Sequence, residues 1–188
     1  MGCEKSIVLV CEDTAHRDFV FACLRKLGVK NLHHIVSDWV ASERFQGGNV
    51  QTVINHFNQM EYKAWQSRVS YKKVLLIVVA DADDQTVEKR RQAFRTEGVA
   101  ALCVVMIPKR NIETWVHLGL NASTKLTNEE EDYKCSTTLA PQRIKESVNS
   151  LFSWFQSSNV GLVRASPAWQ TFAQAFRALT DGYRELGS

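Results

Sequence analysis

The sequence predicts an α/β fold in which a mainly parallel sheet is flanked by helices, with two further helices at the C-terminal end. Three short segments are apolar throughout and do not alternate, which is typical of strands buried on both faces. Segments with helical spacing of apolar residues lie between them, as in sheets built from strand–helix–strand units. The 188 residues suit one domain of ordinary size.

Composition excludes several classes of protein. Apolar residues make up 45% of the chain and charged residues 23%, which is a globular composition and excludes general disorder. No apolar run approaches the roughly 20 residues that a membrane span needs, and we see no signal-peptide cleavage site near the N-terminus. The formal net charge of +3 is too small to predict nucleic-acid binding by itself.

The cysteines predict a reducing compartment. There are five of them, an odd number, and no Cys-x-x-C or Cys/His pair has the spacing of a zinc site. They are Cys3, Cys11, Cys23, Cys103 and Cys135. We therefore expect free thiols and a cytoplasmic protein.

Strands and helices are predicted from the apolar pattern. The strands are 6–11, 74–80 and 101–107, with a weaker one at 29–36. The helices are one that ends at Gly28, one that Asn49 caps and that extends to Trp65, and those at 85–97, 111–118, 142–155 and 167–186. Residues 1–120 form the predicted α/β domain, and 121–188 an acidic, solvated loop followed by the C-terminal helical pair.

Acidic side chains follow two of the strong strands. Glu12 comes directly after the first, and Asp81 and Asp83 follow the second. The carboxyl ends of parallel strands meet at one edge of a sheet, where ligands bind in open α/β folds. The D-x-D spacing would place both aspartates on one side of an extended chain. Converging carboxylates repel each other, and a hard divalent cation such as Mg²⁺ relieves that repulsion.

Basic side chains are predicted to reach the same edge. Lys109 and Arg110 follow the strand at 101–107, and Lys89, Arg90 and Arg91 lie on the neighbouring helix. Such groups can contact a phosphate backbone.

Each of these residues has an alternative role. Asp83 or Asp84 could cap the helix that follows, and Glu12 or Asp13 could cap the first helix. The basic run at 89–91 could be a solvated helix face.

The stretches IVLVCED, VLLIVVADADD and VVMIPKRNIETW together resemble the Toprim pattern, in which a glutamate follows the first strand and D-x-D a later one. The chain is most similar, over residues 5–120, to small stand-alone Toprim-like nucleases of the overcoming-lysogenization-defect type, which are associated with bacterial defence against phage. It departs from that pattern at Asp13, where a glycine is usual.

The resemblance implies roles for individual residues. Glu12 would be a general base or metal ligand, and Asp81 and Asp83 the D-x-D metal ligands. Glu113 would be a possible ligand of a second metal, and Lys109 would stabilise charge in the transition state. The implied activity is hydrolysis of nucleic-acid phosphodiesters with Mg²⁺ or Mn²⁺.

Other interpretations stay open. The chain could be a catalytically inactive Toprim-like interaction subunit, or a receiver-like signalling module, although about 70 residues separate Glu12 from Asp81, which is too many for a receiver. Small Toprim-like proteins often work beside a separate ATPase. The last helix carries an apolar seam that could dock on the body of the protein or form a homodimer. The residues of this seam are Trp169, Phe172, Phe176, Leu179, Tyr183 and Leu186.

The five histidines have no metal spacing among themselves, and each is predicted to be a surface or core residue. His117 lies four residues after Glu113 on one helix face, from which it could reach the same site.

Overall fold

A computed structural model describes residues 5–30, 49–58, 73–97, 102–121, 126–157 and 161–187. Its three strands are β1 (Lys5–Cys11), β2 (Lys73–Val79) and β3 (Leu102–Met106). Its helices in these ranges are α1 (Thr14–Lys26), α2 (Val50–Asn58), α3 (Val87–Gln92), α4 (Ile112–Asn121), α5 (Pro141–Gln156), α6 (Gly161–Ala165) and α7 (Pro167–Gly187). The short helix α6 was not predicted.

The three strands form one parallel sheet in the order β1-β2-β3. Cys11 pairs with Val79, and Val79 pairs with Met106. All three strands therefore end at the same edge of the sheet. The predicted α/β class, with a parallel sheet and flanking helices, is confirmed.

Helices cover both faces of the sheet. Side chains of β1 and β2 that point to one face pack against α1 and α4 to α7, and those that point to the other face pack against α2 and α3. Every residue of β2 from Val74 to Val79 is buried, which explains its continuous apolar sequence. β3 is less covered than predicted, since Cys103 and Val105 are only half-buried. In the described part of the sheet β3 has a neighbour on one side only.

The ends of two helices follow the sequence signals. α1 ends just before Gly28, whose φ of 91° is a left-handed conformation that glycine adopts without strain. Asn49 caps α2, because its Oδ1 accepts the Thr52 N–H at 3.0 Å. The predicted strand at 29–36 and the part of the second helix that holds Trp65 fall largely outside the described residues.

Helix α3 is much shorter than the predicted 85–97. Thr86, and neither Asp83 nor Asp84, caps it, since the Thr86 Oγ1 accepts the Lys89 N–H at 3.1 Å. At its other end the Asn58 side chain donates to the Ala93 carbonyl at 2.7 Å and accepts from the Arg95 N–H at 2.9 Å. These bonds occupy backbone groups that a longer helix would need.

The apolar seam of α7 packs on the body of the protein. Phe172, Phe176 and Leu179 are each at most 1% exposed and belong to the same core as β1 and β2. Of the two roles that the sequence left open for this seam, docking within the chain is the one observed. A homodimer through other surfaces of the C-terminal helices stays a prediction.

None of the helices in the described ranges has the length and apolarity required to cross a bilayer.

Gly119 sets the close approach of α4 to α5. A Cβ at this position would lie 2.5 Å from the Ser147 carbonyl oxygen and 2.7 Å from its Cα. We expect Gly119→Ala to lower the free energy of unfolding by about 1–3 kcal/mol, because the added methyl group meets backbone that has little room to shift. Urea denaturation measures this. Gly187→Ala is the matched control, since nothing lies within 4 Å of the Cβ it adds; equal effects of the two substitutions would contradict the expectation.

Candidate metal centre

The sheet register brings the ends of β1 and β2 together. Cys11 and Val79 are partners in the ladder, so Glu12 and Asp81 leave the sheet side by side. The Glu12 Oε1 accepts the backbone N–H of Asp81 at 2.6 Å. The predicted meeting of these two acids at the strand ends is therefore observed.

The start of α1 adds a histidine to this pair. Asp13 is the N-cap, and its Oδ1 accepts the N–H groups of Ala15 at 2.9 Å and His16 at 3.0 Å. This cap places His16 in the first turn of the helix, beside the strand ends. His16 is 1% exposed.

The imidazole of His16 bridges two carboxylates. Its Nδ1 lies 2.8 Å from the Asp13 Oδ1, and its Nε2 lies 2.9 Å from the Asp81 Oδ1. One ligand atom each from Glu12, His16 and Asp81 falls within 4.8 Å of the others. Two carboxylates and an imidazole at this spacing can hold a metal ion.

The electrostatics of the cluster follow from burial and from these contacts. Burial, and then the negative charge of Asp81, raises the pKa of Glu12 to about 7. Burial alone would lower the pKa of His16, but the bonds to Asp13 and Asp81 raise it to about 10. Burial would likewise raise the pKa of Asp13, but its bonds to His16 hold that pKa at about 2. In the absence of a metal, His16 is therefore a cation between two carboxylates.

Asp83 is not part of this cluster. Its φ of 51° is left-handed, so the chain turns there and does not continue as an extended strand. Its N–H donates to the Arg110 carbonyl at 2.8 Å, and its Oδ2 lies 3.5 Å from Arg90 Nη2. The extended chain that the D-x-D prediction assumed is therefore absent at Asp83, and Asp83 is not among the three residues whose ligand atoms come within 4.8 Å of one another.

Glu113 lies in the first turn of α4 and is half-buried. Burial raises its pKa, and the negative charge of Asp81 raises it further. The charge of Asp81 thus acts on Glu113, although Glu113 is not among the three residues whose ligand atoms come within 4.8 Å of one another.

The predicted basic residues divide into two kinds. Arg90 is 5% exposed, and its Nη2 donates to the Ala82 carbonyl at 3.2 Å, so it supports the turn after β2. The prediction that Arg90 offers a positive charge at the surface is therefore wrong. Lys89 is exposed, and Arg91 is partly exposed, on the solvent side of α3.

The two basic residues after β3 pair with carboxylates. Lys109 Nζ lies 3.4 Å from Glu130, and Arg110 Nη1 lies 2.6 Å from Asp84. Glu130 is 71% exposed and Asp84 92% exposed, so both pairs lie at the surface.

The acidic loop is partly folded onto the protein, although we predicted it to be solvated. The Asp132 Oδ1 accepts the Asn111 side-chain N–H at 3.0 Å, and the Glu129 Oε1 accepts the Thr171 hydroxyl at 2.7 Å. Tyr133 is 3% exposed and stacks on His117, with ring centroids 4.1 Å apart. His117 therefore contacts this loop.

His16 was not predicted to be a site residue, because the five histidines have no metal spacing among themselves and each was expected to be a surface or core residue. The sequence signal that could have identified His16 is the D-x-x-H spacing of Asp13 and His16 at the start of a helix. When the aspartate is the N-cap, this spacing places the histidine, the third residue of the helix, next to the aspartate carboxylate.

Comparisons of this chain with protein-family models, with curated proteins and with solved structures find no match.

The charged bridge at His16 should make stability depend on pH. The pKa of His16 in the folded protein, about 10, lies above its ordinary value of 6.5. The bridge therefore stabilises the fold fully between pH 3.8, the ordinary pKa of Asp13, and pH 6.5. This contribution is lost as the pH rises towards 10, where His16 loses its proton, and as it falls towards 2, where Asp13 gains one. Asp13→Asn keeps an acceptor for the helix cap but removes one of the two charges that raise the pKa of His16.

We expect the free energy of unfolding of Asp13→Asn to fall at a lower pH than that of the wild type, within the range from pH 6.5 to about 10. Urea denaturation in EDTA measures it. Asp18→Asn, on the same helix, is the control because Asp18 pairs with Arg17. Identical pH profiles for wild type and Asp13→Asn would contradict the expectation.

Proposed function

We propose that this protein is a metal-dependent phosphodiesterase that cleaves a nucleic-acid backbone. The observation that carries the proposal is the cluster of Glu12, His16 and Asp81 at the carboxyl edge of a parallel sheet, with ligand atoms within 4.8 Å of one another. This edge is where open α/β folds bind their ligands. The Toprim-like pattern of the sequence points to two of these three residues, Glu12 and Asp81.

The chemistry needs few protein groups. A water oxygen would form a bond to phosphorus, the bond from phosphorus to the leaving sugar oxygen would break, and that oxygen would take a proton from solvent water. A divalent ion such as Mg²⁺ or Mn²⁺, held at this site, would neutralise the phosphate and activate the water. Asp81 and Glu12 would hold the ion, and Glu12 is also the candidate acceptor for the proton of the water. Glu113 would contribute to the outer part of the same site.

Basic residues at the same edge would hold the substrate. Lys109 and Arg110 follow β3, which ends beside β2. Their present partners, Glu130 and Asp84, are exposed carboxylates, and such pairs contribute only about 0–1 kcal/mol each, so a phosphate can replace them. Lys89 and Arg91 would extend this positive surface along α3.

Thiol chemistry does not contribute to the proposal. Burial raises the pKa of Cys11, the residue before Glu12, to about 12, so a reactive thiolate does not form there. Cys11, Cys23, Cys103 and Cys135 are free, which supports a cytoplasmic location as part of the proposal.

A catalytically inactive interaction subunit is the second candidate. It is favoured by the engagement of Lys109 and Arg110 with carboxylates, which leaves the basic edge partly neutralised. A separate ATPase or a second copy of the chain would then be the partner. The experiments below separate it from the nuclease, because an inactive subunit cleaves nothing under any metal condition.

We expect the wild type to cleave DNA or RNA with Mg²⁺ or Mn²⁺ and to lose this activity in EDTA. Asp81→Asn should lower the rate by about a hundredfold or more, since loss of a residue that merely supports a ligand already costs about 10–100-fold. The measurement is cleavage of labelled single- and double-stranded substrates. Asp181→Asn is the control, because Asp181 is an exposed carboxylate on α7. Cleavage that survives chelation or the Asp81 substitution would refute the metal mechanism.

The basic surface of α3 is tested by a second pair of variants. We expect Lys89→Ala combined with Arg91→Ala to weaken nucleic-acid binding and to reduce the slope of log affinity against log salt by about 1–2, because each lost phosphate contact removes about 0.7–0.9 of that slope. Fluorescence anisotropy at several salt concentrations measures it. The control removes two exposed basic residues from α5, Arg143 and Lys145. If both double variants lose the same nucleic-acid affinity and the same salt slope, the effect comes from net charge alone, and the proposed role of Lys89 and Arg91 is contradicted.

A further inference from the structure

We propose that His16 is itself a ligand of the metal, oriented by Asp13, and that the centre therefore prefers a first-row transition ion such as Mn²⁺, Co²⁺ or Zn²⁺ to Mg²⁺. The inference rests on the proposed function for its site. The inference goes beyond the proposed function because it assigns a third ligand, a positioning residue and a class of ion.

The separation of the ligand atoms fits direct coordination. His16 Nε2 and Asp81 Oδ1 are 2.9 Å apart. Two ligand atoms that each lie about 2.1 Å from one ion, at right angles, are about 3.0 Å apart. An ion can therefore take the place of the hydrogen bond between these two atoms when the Nε2 proton is released to solvent, as binding of a metal to histidine requires. The ion would lie to one side of the line that joins the two atoms, and the imidazole ring would turn towards it. The Glu12 carboxylate supplies a third ligand atom within 4.8 Å.

The second nitrogen of the ring has the partner that a metal-bound histidine normally has. A ligating histidine usually donates its other N–H to a carboxylate or carbonyl, which fixes the tautomer and the direction of the free nitrogen. His16 Nδ1 lies 2.8 Å from the Asp13 Oδ1, so Nε2 is the nitrogen directed to Asp81. Asp13 is itself held by the N–H groups of Ala15 and His16.

Burial separates the roles of the two acids that contact His16. The side chains of His16 and Asp81 are 2% and 7% exposed, whereas that of Asp13 is 50% exposed. Asp81 therefore lies inside the site, and Asp13 supports it from the solvent side.

The donor set determines the class of ion. Mg²⁺ takes oxygen ligands and keeps much of its water, whereas an imidazole nitrogen suits the first-row transition ions. One nitrogen and two carboxylates at Glu12, His16 and Asp81 form a mixed set. A site built for Mg²⁺ alone would not need a buried imidazole whose second nitrogen is already fixed by a carboxylate.

The test uses Mn²⁺ as the probe. We expect calorimetry to show that the wild type binds Mn²⁺ at least about tenfold more tightly than Mg²⁺, and pulsed EPR of the Mn²⁺ complex to show coupling to an imidazole nitrogen. His16→Asn should lose that coupling and most of the preference for Mn²⁺. Asp13→Asn should keep the coupling and weaken Mn²⁺ binding by about 10–100-fold, as expected for a residue that orients a ligand. Asp18→Asn, with its carboxylate on Arg17, should change neither result.

The outcomes separate this inference from the proposed function. Absence of nitrogen coupling in the wild type, or equal affinity for Mg²⁺ and Mn²⁺, would overturn it and would leave an oxygen-ligated nuclease intact. Nitrogen coupling in a protein that cleaves no nucleic acid would support it and refute the nuclease. If His16→Asn fails to fold, as judged by circular dichroism, the wild-type spectrum and Asp13→Asn still decide the question.

Discussion

The hydrogen bond from the backbone N–H of Asp81 to the Glu12 carboxylate, at 2.6 Å, ties together the ends of the first two strands, and the site depends on it. The bond is possible because β1 and β2 are parallel and in a register that pairs Cys11 with Val79. A shift of one residue in that register would turn each side chain of β1 to the opposite face of the sheet. The hydrophobic cores on the two faces therefore fix the geometry of the acidic pair.

Once the two acids are held together, their charge has to be balanced. Removing one partner from a buried charged group typically costs about 3–5 kcal/mol, because the other charge is left uncompensated. Three carboxylates, those of Glu12, Asp13 and Asp81, lie around the single imidazole of His16. When all three are ionised, the cluster holds more negative charge than one imidazolium can offset. Burial, and then the charge of Asp81, raises the pKa of Glu12 to about 7, because a further negative charge is unfavourable there. This residual charge is the physical reason that a divalent cation suits the site, and it supports the proposed chemistry.

Most of the fold could be predicted from the sequence, because strands buried on both faces need continuous apolar runs. The central strand at Val74 to Val79 was found for this reason. The length of α3 could not be predicted, since it depends on Asn58, which is far away in the chain and bonds to the backbone at Ala93 and Arg95.

The candidate site was only partly predictable. Glu12 and Asp81 follow from the strand ends, because parallel pairing decides where those ends lie. Asp83 was assigned by assuming that the chain stays extended, whereas its left-handed conformation and its contact with Arg90 depend on tertiary structure. His16 was missed because its role is set by two carboxylates, one local at Asp13 and one 65 residues away at Asp81.

The charges around the site explain how one edge of the sheet can be stable alone and could still receive the phosphate of the proposed substrate. Arg90 and Asp83 form a pair whose arginine is buried, so breaking it would leave an uncompensated charge in the turn after β2. Lys109 and Arg110 instead pair with exposed carboxylates, and such pairs add little stability. A polyanion can exchange with these outer carboxylates while the inner pair keeps the turn in place. The buried pair therefore preserves the shape of the edge, and the exposed pairs would leave its positive charge available to the proposed substrate.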